Sequence, residues 1–190
     1  MRASWPELMS DIANCEKCGL CRGRRNAVPG EGDPNAMVMF IGEGPGQEED
    51  RQGRPFVGPS GELLTKMLHA IGLERSEVYI CNIVKCRPPG NRNPEPEEAH
   101  ACMEYLRAQV ALVRPKIIVL LGKVACTYTL KEPVYITRDH GKWIKQKGVW
   151  FMPTFHPSAL LRDPDKKRDA WNDLQGLRDM IAKIKSGSGE

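Results

Sequence analysis

The sequence predicts an α/β protein: a three-layer α/β/α sandwich around a central, mainly parallel, four-stranded sheet. Four short runs of apolar, strand-forming residues recur along the 190-residue chain, each stopped by Gly, Pro or polar residues. Segments with apolar residues at three- and four-residue spacing lie between them. Strand and helix therefore alternate, the order that builds parallel strands covered by helices on both faces. No internal repeat and no linker rich in Gly, Ser or Pro divides the chain. Residues 1–185 read as one domain and Ser186-Gly187-Ser188-Gly189-Glu190 as a flexible tail.

From the N-terminus, Ala36-Met37-Val38-Met39-Phe40-Ile41, bounded by Pro34-Asn35 and Gly42, reads as the first buried strand. Ser60-Gly61-Glu62 opens a helix that carries Leu63, Leu64, Met67, Leu68 and Ile71 at helical spacing and stops at Gly72. Val78 to Val84 is the second strand, followed by a polar, proline-rich loop from Arg87 to Pro94. Glu95 to Val113 is a helix with Pro96 and acidic residues in its first turn, where the helix dipole favours negative charge. Lys116 to Gly122 is the clearest buried strand, and Gly122-Lys123-Val124-Ala125 turns into a short helix. A hairpin is expected around His140-Gly141-Lys142-Trp143, leading into a last strand, Val149-Trp150-Phe151-Met152. Asp165 to Lys185 closes the chain as an amphipathic helix.

Composition narrows the class. With 41% hydrophobic residues and a net charge of +4 the chain is not disordered as a whole. Its length allows burial of roughly 70% of the surface that the unfolded chain exposes. No apolar stretch approaches the roughly 20 residues of a membrane span, and Met1-Arg2-Ala3-Ser4-Trp5-Pro6 is not a charged-then-apolar leader, so a cytoplasmic location away from membranes is expected. Seven cysteines are too many and too odd a count for a disulfide scaffold in such a chain. Cys15 and Cys18 form a Cys-x2-Cys pair that Cys21 extends, and Cys86 and Cys102 form a wider pair. Four thiolates could hold Zn²⁺ or an iron–sulfur cluster. Cys81 and Cys126 sit in apolar settings and read as small buried residues.

In an open α/β sheet, ligands bind beyond the carboxyl ends of the strands. Gly42-Glu43-Gly44-Pro45-Gly46, Asn82 to Asn91, and His156-Pro157-Ser158 fall there. The glycine loop lacks both nucleotide-binding signatures, and Glu48-Glu49-Asp50 behind it would repel phosphates. A flat polar ligand suits it better. Together with Gly53-Arg54-Pro55-Phe56-Val57-Gly58, Cys81-Asn82-Ile83-Val84-Lys85-Cys86-Arg87-Pro88-Pro89 and His156-Pro157-Ser158-Ala159-Leu160-Leu161-Arg162, these motifs resemble the family 4 uracil-DNA glycosylases, the iron–sulfur type of that superfamily. The resemblance runs from about Cys15 to the final helix. Marks of two related branches, a Gln in place of Gly44 and a Gly-Gln-Asp-Pro-Tyr-His motif, are absent.

The resemblance implies a uracil-DNA glycosylase-like fold and a monomeric, monofunctional DNA repair enzyme. Its substrate would be uracil-containing DNA, double- or single-stranded, from which it hydrolyses the N-glycosidic bond of a flipped-out deoxyuridine and leaves an abasic site. Cys15, Cys18, Cys86 and Cys102 match the ligands of a structural [4Fe–4S] cluster, and Cys21 falls where no ligand is needed. His156 matches the donor to uracil O2. Asn82 matches the amide that pairs with N3–H and O4, Phe56 the stacking aromatic, and Glu49 the residue beside C5. The backbone of Gly42, Glu43 and Gly44 would contact the base edge, with Glu43 near the attacking water and Asn91 near the sugar and water. Leu160 or Leu161 would be the wedge that fills the emptied stack. Ser60 at a helix start, with Lys85, Arg87, Arg92, Arg162, Lys166, Lys167 and Arg168, would meet phosphates. A cluster-bearing nucleic-acid-binding accessory protein with little catalysis is the alternative, and a metal-dependent hydrolase built on Glu48-Glu49-Asp50 a distant third.

Overall fold

A computed structural model of the chain describes residues 4–187. Helix α1 (Trp5–Ala13) starts on a capping box in which Ser4 N–H donates to Glu7 Oε2 at 2.9 Å, and it buries Leu8 and Ile12. A two-residue strand, β1 (Glu31–Gly32), precedes β2 (Val38–Gly42), the short helix α2 (Gln47–Gln52) and α3 (Pro59–Ala70). Next come β3 (Tyr79–Asn82), α4 (Pro96–Val113), β4 (Ile117–Leu121), α5 (Lys123–Thr129) and α6 (Ile136–Asp139). The chain ends with β5 (Ile144–Gln146), β6 (Val149–Thr154), α7 (Pro157–Arg162) and α8 (Lys167–Lys185).

The strands form one sheet in the order β1-β3-β2-β4-β6-β5. β3, β2, β4 and β6 are parallel, in a register that sets Phe40 beside Ile80 and Val119, and Val119 beside Met152. Every residue of β2, β3 and β4 is buried, which is why these strands read as unbroken apolar runs. Alternate residues still face opposite sides. Met39, Ile41, Cys81, Ile118 and Leu120 pack toward α1 and α4, while Val38, Phe40, Ile80, Ile117 and Val119 pack toward α3 and α8. Helices thus cover both faces, the expected three layers.

The sheet has six strands rather than the expected four. The additions are antiparallel edges, β1 against β3 and β5 against β6. Neither carries an apolar pattern: Glu31-Gly32 is too short for one, and Ile144-Lys145-Gln146 lies at the rim. The hairpin lies later than expected. It turns at Lys147-Gly148, both at positive φ (50° and 80°), as a two-residue turn matched to strand twist requires. His140-Gly141-Lys142-Trp143 instead follows α6 and leads into β5. The last helix begins at Lys167, after a 3₁₀ turn at Pro164–Lys166, rather than at Asp165. Of the expected tail, Ser186 and Gly187 close α8 by bonding to Ala182 and Ile184 carbonyls, and residues 188–190 lie outside the described residues, as do 1–3 of the expected leaderless start. No helix among the described residues is long and apolar enough to cross a membrane.

Candidate active site and cysteine pocket

Because β2, β3, β4 and β6 are parallel, Gly42, Asn82, Leu121 and Thr154 all end at one edge of the sheet. The loops leaving them enclose a cleft of about 840 Å³, lined by Glu43, Gly44, Glu49, Phe56, Ser60, Asn82, Asn91, His156 and Arg162 among others. Its floor is Asn82, which is 1% exposed. Asn82 Oδ1 is the one buried side-chain polar atom among the described residues without a hydrogen-bond partner. Leaving such an atom unpaired costs about 1–3 kcal/mol, so it is an acceptor prepared for a ligand N–H. Gly42 is required beside it: a Cβ there would lie 2.5 Å from Asn82 Oδ1 and 2.6 Å from Phe56 Cζ.

Phe56 faces the cleft from a strained backbone, at φ 50°. Arg75 holds that conformation, donating from Nη1 to the Phe56 carbonyl (2.9 Å) and from Nη2 to the Pro55 carbonyl (2.7 Å). Glu31, on edge strand β1, fixes Arg75 in turn at 2.6 Å. Gly61 lets α3 press on the same turn, since a Cβ there would collide with the Phe56 carbonyl.

His156 caps the N-terminus of α7, with its ring centroid 5.6 Å from that of Phe56. Its Nδ1 accepts from the Ser158 backbone N–H at 3.1 Å, with Ser158 Oγ at 2.7 Å. An Nδ1 that accepts leaves the proton of the neutral ring on Nε2. Burial lowers the pKa of His156 to about 4; the Arg162 charge adds to the shift and Glu49 opposes it. The ring is therefore a neutral Nε2–H donor near pH 7. Behind it, Thr154 Oγ1 donates to Asp173 Oδ2 (2.6 Å), and His140 Nδ1 meets Asp173 Oδ1 at 2.9 Å. That network anchors the end of β6.

Two carboxylates differ in kind. Glu49 accepts from Val57 and Gly58 N–H, both at 2.9 Å, and from Gly46 N–H at 3.1 Å, so it is a fixed wall of the cleft. The Glu43 carboxylate accepts no hydrogen bond from the described residues, and burial raises its pKa against the opposing charge of Arg162. Asn91 stands exposed at the rim at φ 55°, its Oδ1 accepting from Arg87 Nε at 2.7 Å. Glu48 turns to Arg51 and Asp50 accepts from Arg25 N–H, so the acidic run does not converge as a hydrolytic metal site needs.

Two expected DNA contacts, Lys85 and Leu160, need correction. Lys85 is 1% exposed and bonded internally, so it cannot reach a phosphate. Leu160 is a core residue at 1% exposure, whereas its neighbour Leu161 is 45% exposed. Arg92 lines the cleft and is held there in a two-pronged pair with Glu98 at 2.9 and 2.8 Å. Ser60, Arg162 and Lys166 line the cleft as well, and Lys123, from the turn after β4, joins them.

A second pocket lies on the α1–α4 side. Cys15, Cys18, Cys21, Cys86 and Cys102 line it, with apolar walls from Ile12, Leu20, Val84 and Ala101. Arg24 Nη1 donates to Cys86 Sγ at 3.2 Å, Lys85 N–H to Cys102 Sγ at 3.3 Å, and Lys17 N–H to Cys15 Sγ at 3.5 Å. Burial pushes the Cys102 thiol up to about 11, opposed by Lys85, and also raises Cys18 and Cys86. Cys81 and Cys126 are buried in the core, where burial raises both thiols, Cys126 to about 12. Sequence reasoning missed Arg24, Arg75, Gln109, His140 and Asp173, for which single charged or polar residues gave no pattern. Only Ser158 carried a signal, two residues after His156.

Residues 29–175 match the family described as the uracil DNA glycosylase superfamily. The chain is 44% identical to the type-4 uracil-DNA glycosylase of Sulfurisphaera tokodaii, over 93% of this chain and 84% of that protein. It is also 44% identical to the type-4 enzyme of Thermotoga maritima, over 93% of this chain and 95% of that protein. The type-4 enzyme of Saccharolobus solfataricus is 40% identical, over 92% of this chain and 85% of that protein.

Proposed function

The chain belongs to the uracil DNA glycosylase superfamily, and on that premise we propose that it excises uracil from DNA as a type-4 enzyme, hydrolysing the N-glycosidic bond of an extruded deoxyuridine and leaving an abasic site. The observation that carries this reading is the buried, unpaired Asn82 Oδ1 at the floor of the cleft. Uracil N3–H meets that acceptor, and Asn82 Nδ2 donates to O4. Cytosine presents the reverse pattern at both positions, so the fixed amide rejects it. Phe56 stacks on the base face, and Glu49 walls the cleft where a methyl at C5 would intrude.

As the glycosidic bond breaks, charge builds on uracil O2. The neutral His156 Nε2–H stabilises it, a contribution of about 3 kcal/mol for one such donor. Glu43 and Asn91 stand where water attacks the sugar; attack on an oxocarbenium-like sugar needs little activation. Leu161, exposed on α7, fills the emptied stack, while Ser60, Lys123, Arg162 and Lys166 meet the phosphates. The protein acts as a cytoplasmic monomer, on double- or single-stranded DNA, with residues 1–185 as one unit.

The cysteine pocket suits a [4Fe–4S] cluster held by Cys15, Cys18, Cys86 and Cys102. Four thiols lining one pocket, N–H donors aimed at three of the sulfurs and apolar walls are what such a group needs. When bound, the cluster cross-links the segment after α1 to the loop after β3 and to α4. Cys21 lines the same pocket as a fifth, non-ligating thiol. Release of free uracil from a uracil-containing oligonucleotide tests the reading. DNA binding without release would favour the accessory role instead.

A further inference from the structure

We infer that Lys85 is a positioning residue that ties the cysteine pocket to the base-reading Asn82, an inference that rests on the role proposed for Asn82. Lys85 is among the largest fully buried side chains. Its Nζ donates to the Asn82 carbonyl and to Gln109 Oε1, both at 2.7 Å. Gln109 is itself fixed, donating from Nε2 to the Pro29 carbonyl (2.7 Å) and to Tyr79 Oη (3.2 Å). The Lys85 backbone N–H donates to Cys102 Sγ at 3.3 Å, its carbonyl accepts from Val28 N–H at 2.7 Å, and the next residue is Cys86. One residue thus touches both sites.

No carboxylate pairs with Lys85 among the described residues; its acceptors are a carbonyl and an amide. Burying an amine on neutral partners is costly, and a hydrocarbon of the same length would suit the core better. What the amine supplies is placement. Beyond β3 the chain runs along the glycine loop, with Ile83 N–H on the Gly42 carbonyl (3.0 Å) and Val84 N–H on the Glu43 carbonyl (3.2 Å). Lys85 reaches back three residues and clamps the carbonyl of Asn82. Gly42 confines the Asn82 side chain from the other side. The amide is therefore aimed at the cleft by a clamp whose root lies on the cysteine pocket.

The test is a double-mutant cycle on the holoenzyme, reading affinity for free uracil and for uracil-containing DNA. Lys85→Met keeps the stem and removes the donors. It is expected to weaken uracil about tenfold, the worth of one strong hydrogen bond, with the absorbance near 400 nm intact. In an Asn82→Ala background it should cost little more. Uracil should also slow the bleaching of that absorbance by an iron chelator in the parent protein, and not in Lys85→Met. Gln109→Leu, which removes one acceptor, should show the same pattern more weakly and stands in if Lys85→Met does not fold. Additive losses in the cycle, or uracil protection that survives Lys85→Met, would overturn the clamp alone. A parent protein that neither binds nor releases uracil would overturn the role of Asn82 and the clamp with it.

Discussion

At neutral pH His156 carries no charge, since burial holds its pKa at about 4, and Ser158 fixes the proton on Nε2. The rate of uracil release in single turnovers is therefore expected to pass through pH 6.5 without an inflection. A step there that disappears in His156→Ala would contradict the assignment. Stability follows the same shift. A histidine in the unfolded chain titrates near 6.5, so between about 6.5 and 4 the unfolded state binds the extra proton. His156 thus lowers stability as the pH falls through that window, and none of this loss occurs above it. Melting temperatures of the parent and His156→Gln should converge toward acid pH. At neutral pH His156→Ala should slow the chemical step by about 10²–10³-fold with DNA binding retained. Asn82, Phe56 and His156 were legible because their motifs carry them. Lys85 was misread as a rim cation because its burial depends on Gln109, which α4 brings from far along the chain.

The elements of the site differ in how clearly their sequence marks them. The central strands were legible because burial on both faces makes them continuous apolar runs. The edge strand β1 was not, since two residues, Glu31-Gly32, carry no period, yet it holds Arg75 and through it the strained Phe56 turn. Arg75→Met is expected to weaken uracil binding through loss of the Phe56 stack, with KM affected more than kcat. Equal losses in both, or none, would show that Phe56 keeps its place without the clamp. On α7, Leu160 and Leu161 are equivalent as sequence, and only the packing of the helix separates core from surface. Leu161→Ala should reduce excision from duplex DNA far more than from single strands, where no stack needs filling. The same loss on both substrates would remove Leu161 as the wedge.

Over the whole molecule, one sheet carries two sites. The cleft opens at the carboxyl ends of its parallel strands, and the cysteine pocket sits against the α1–α4 face, joined to the cleft through the loop after β3. Cys86→Ala is expected to remove absorbance near 400 nm and to lower the melting temperature, because the segment after α1 loses its attachment. The measurement that tests the central claim most directly is release of free base from oligonucleotides carrying uracil, cytosine or thymine at one position. It should be made with the parent protein and with Asn82→Ala, in duplex and single-stranded form. The account predicts release of uracil alone by the parent, reduced by at least about tenfold in Asn82→Ala. Release of uracil that is undiminished in Asn82→Ala, or no release at all, would contradict it.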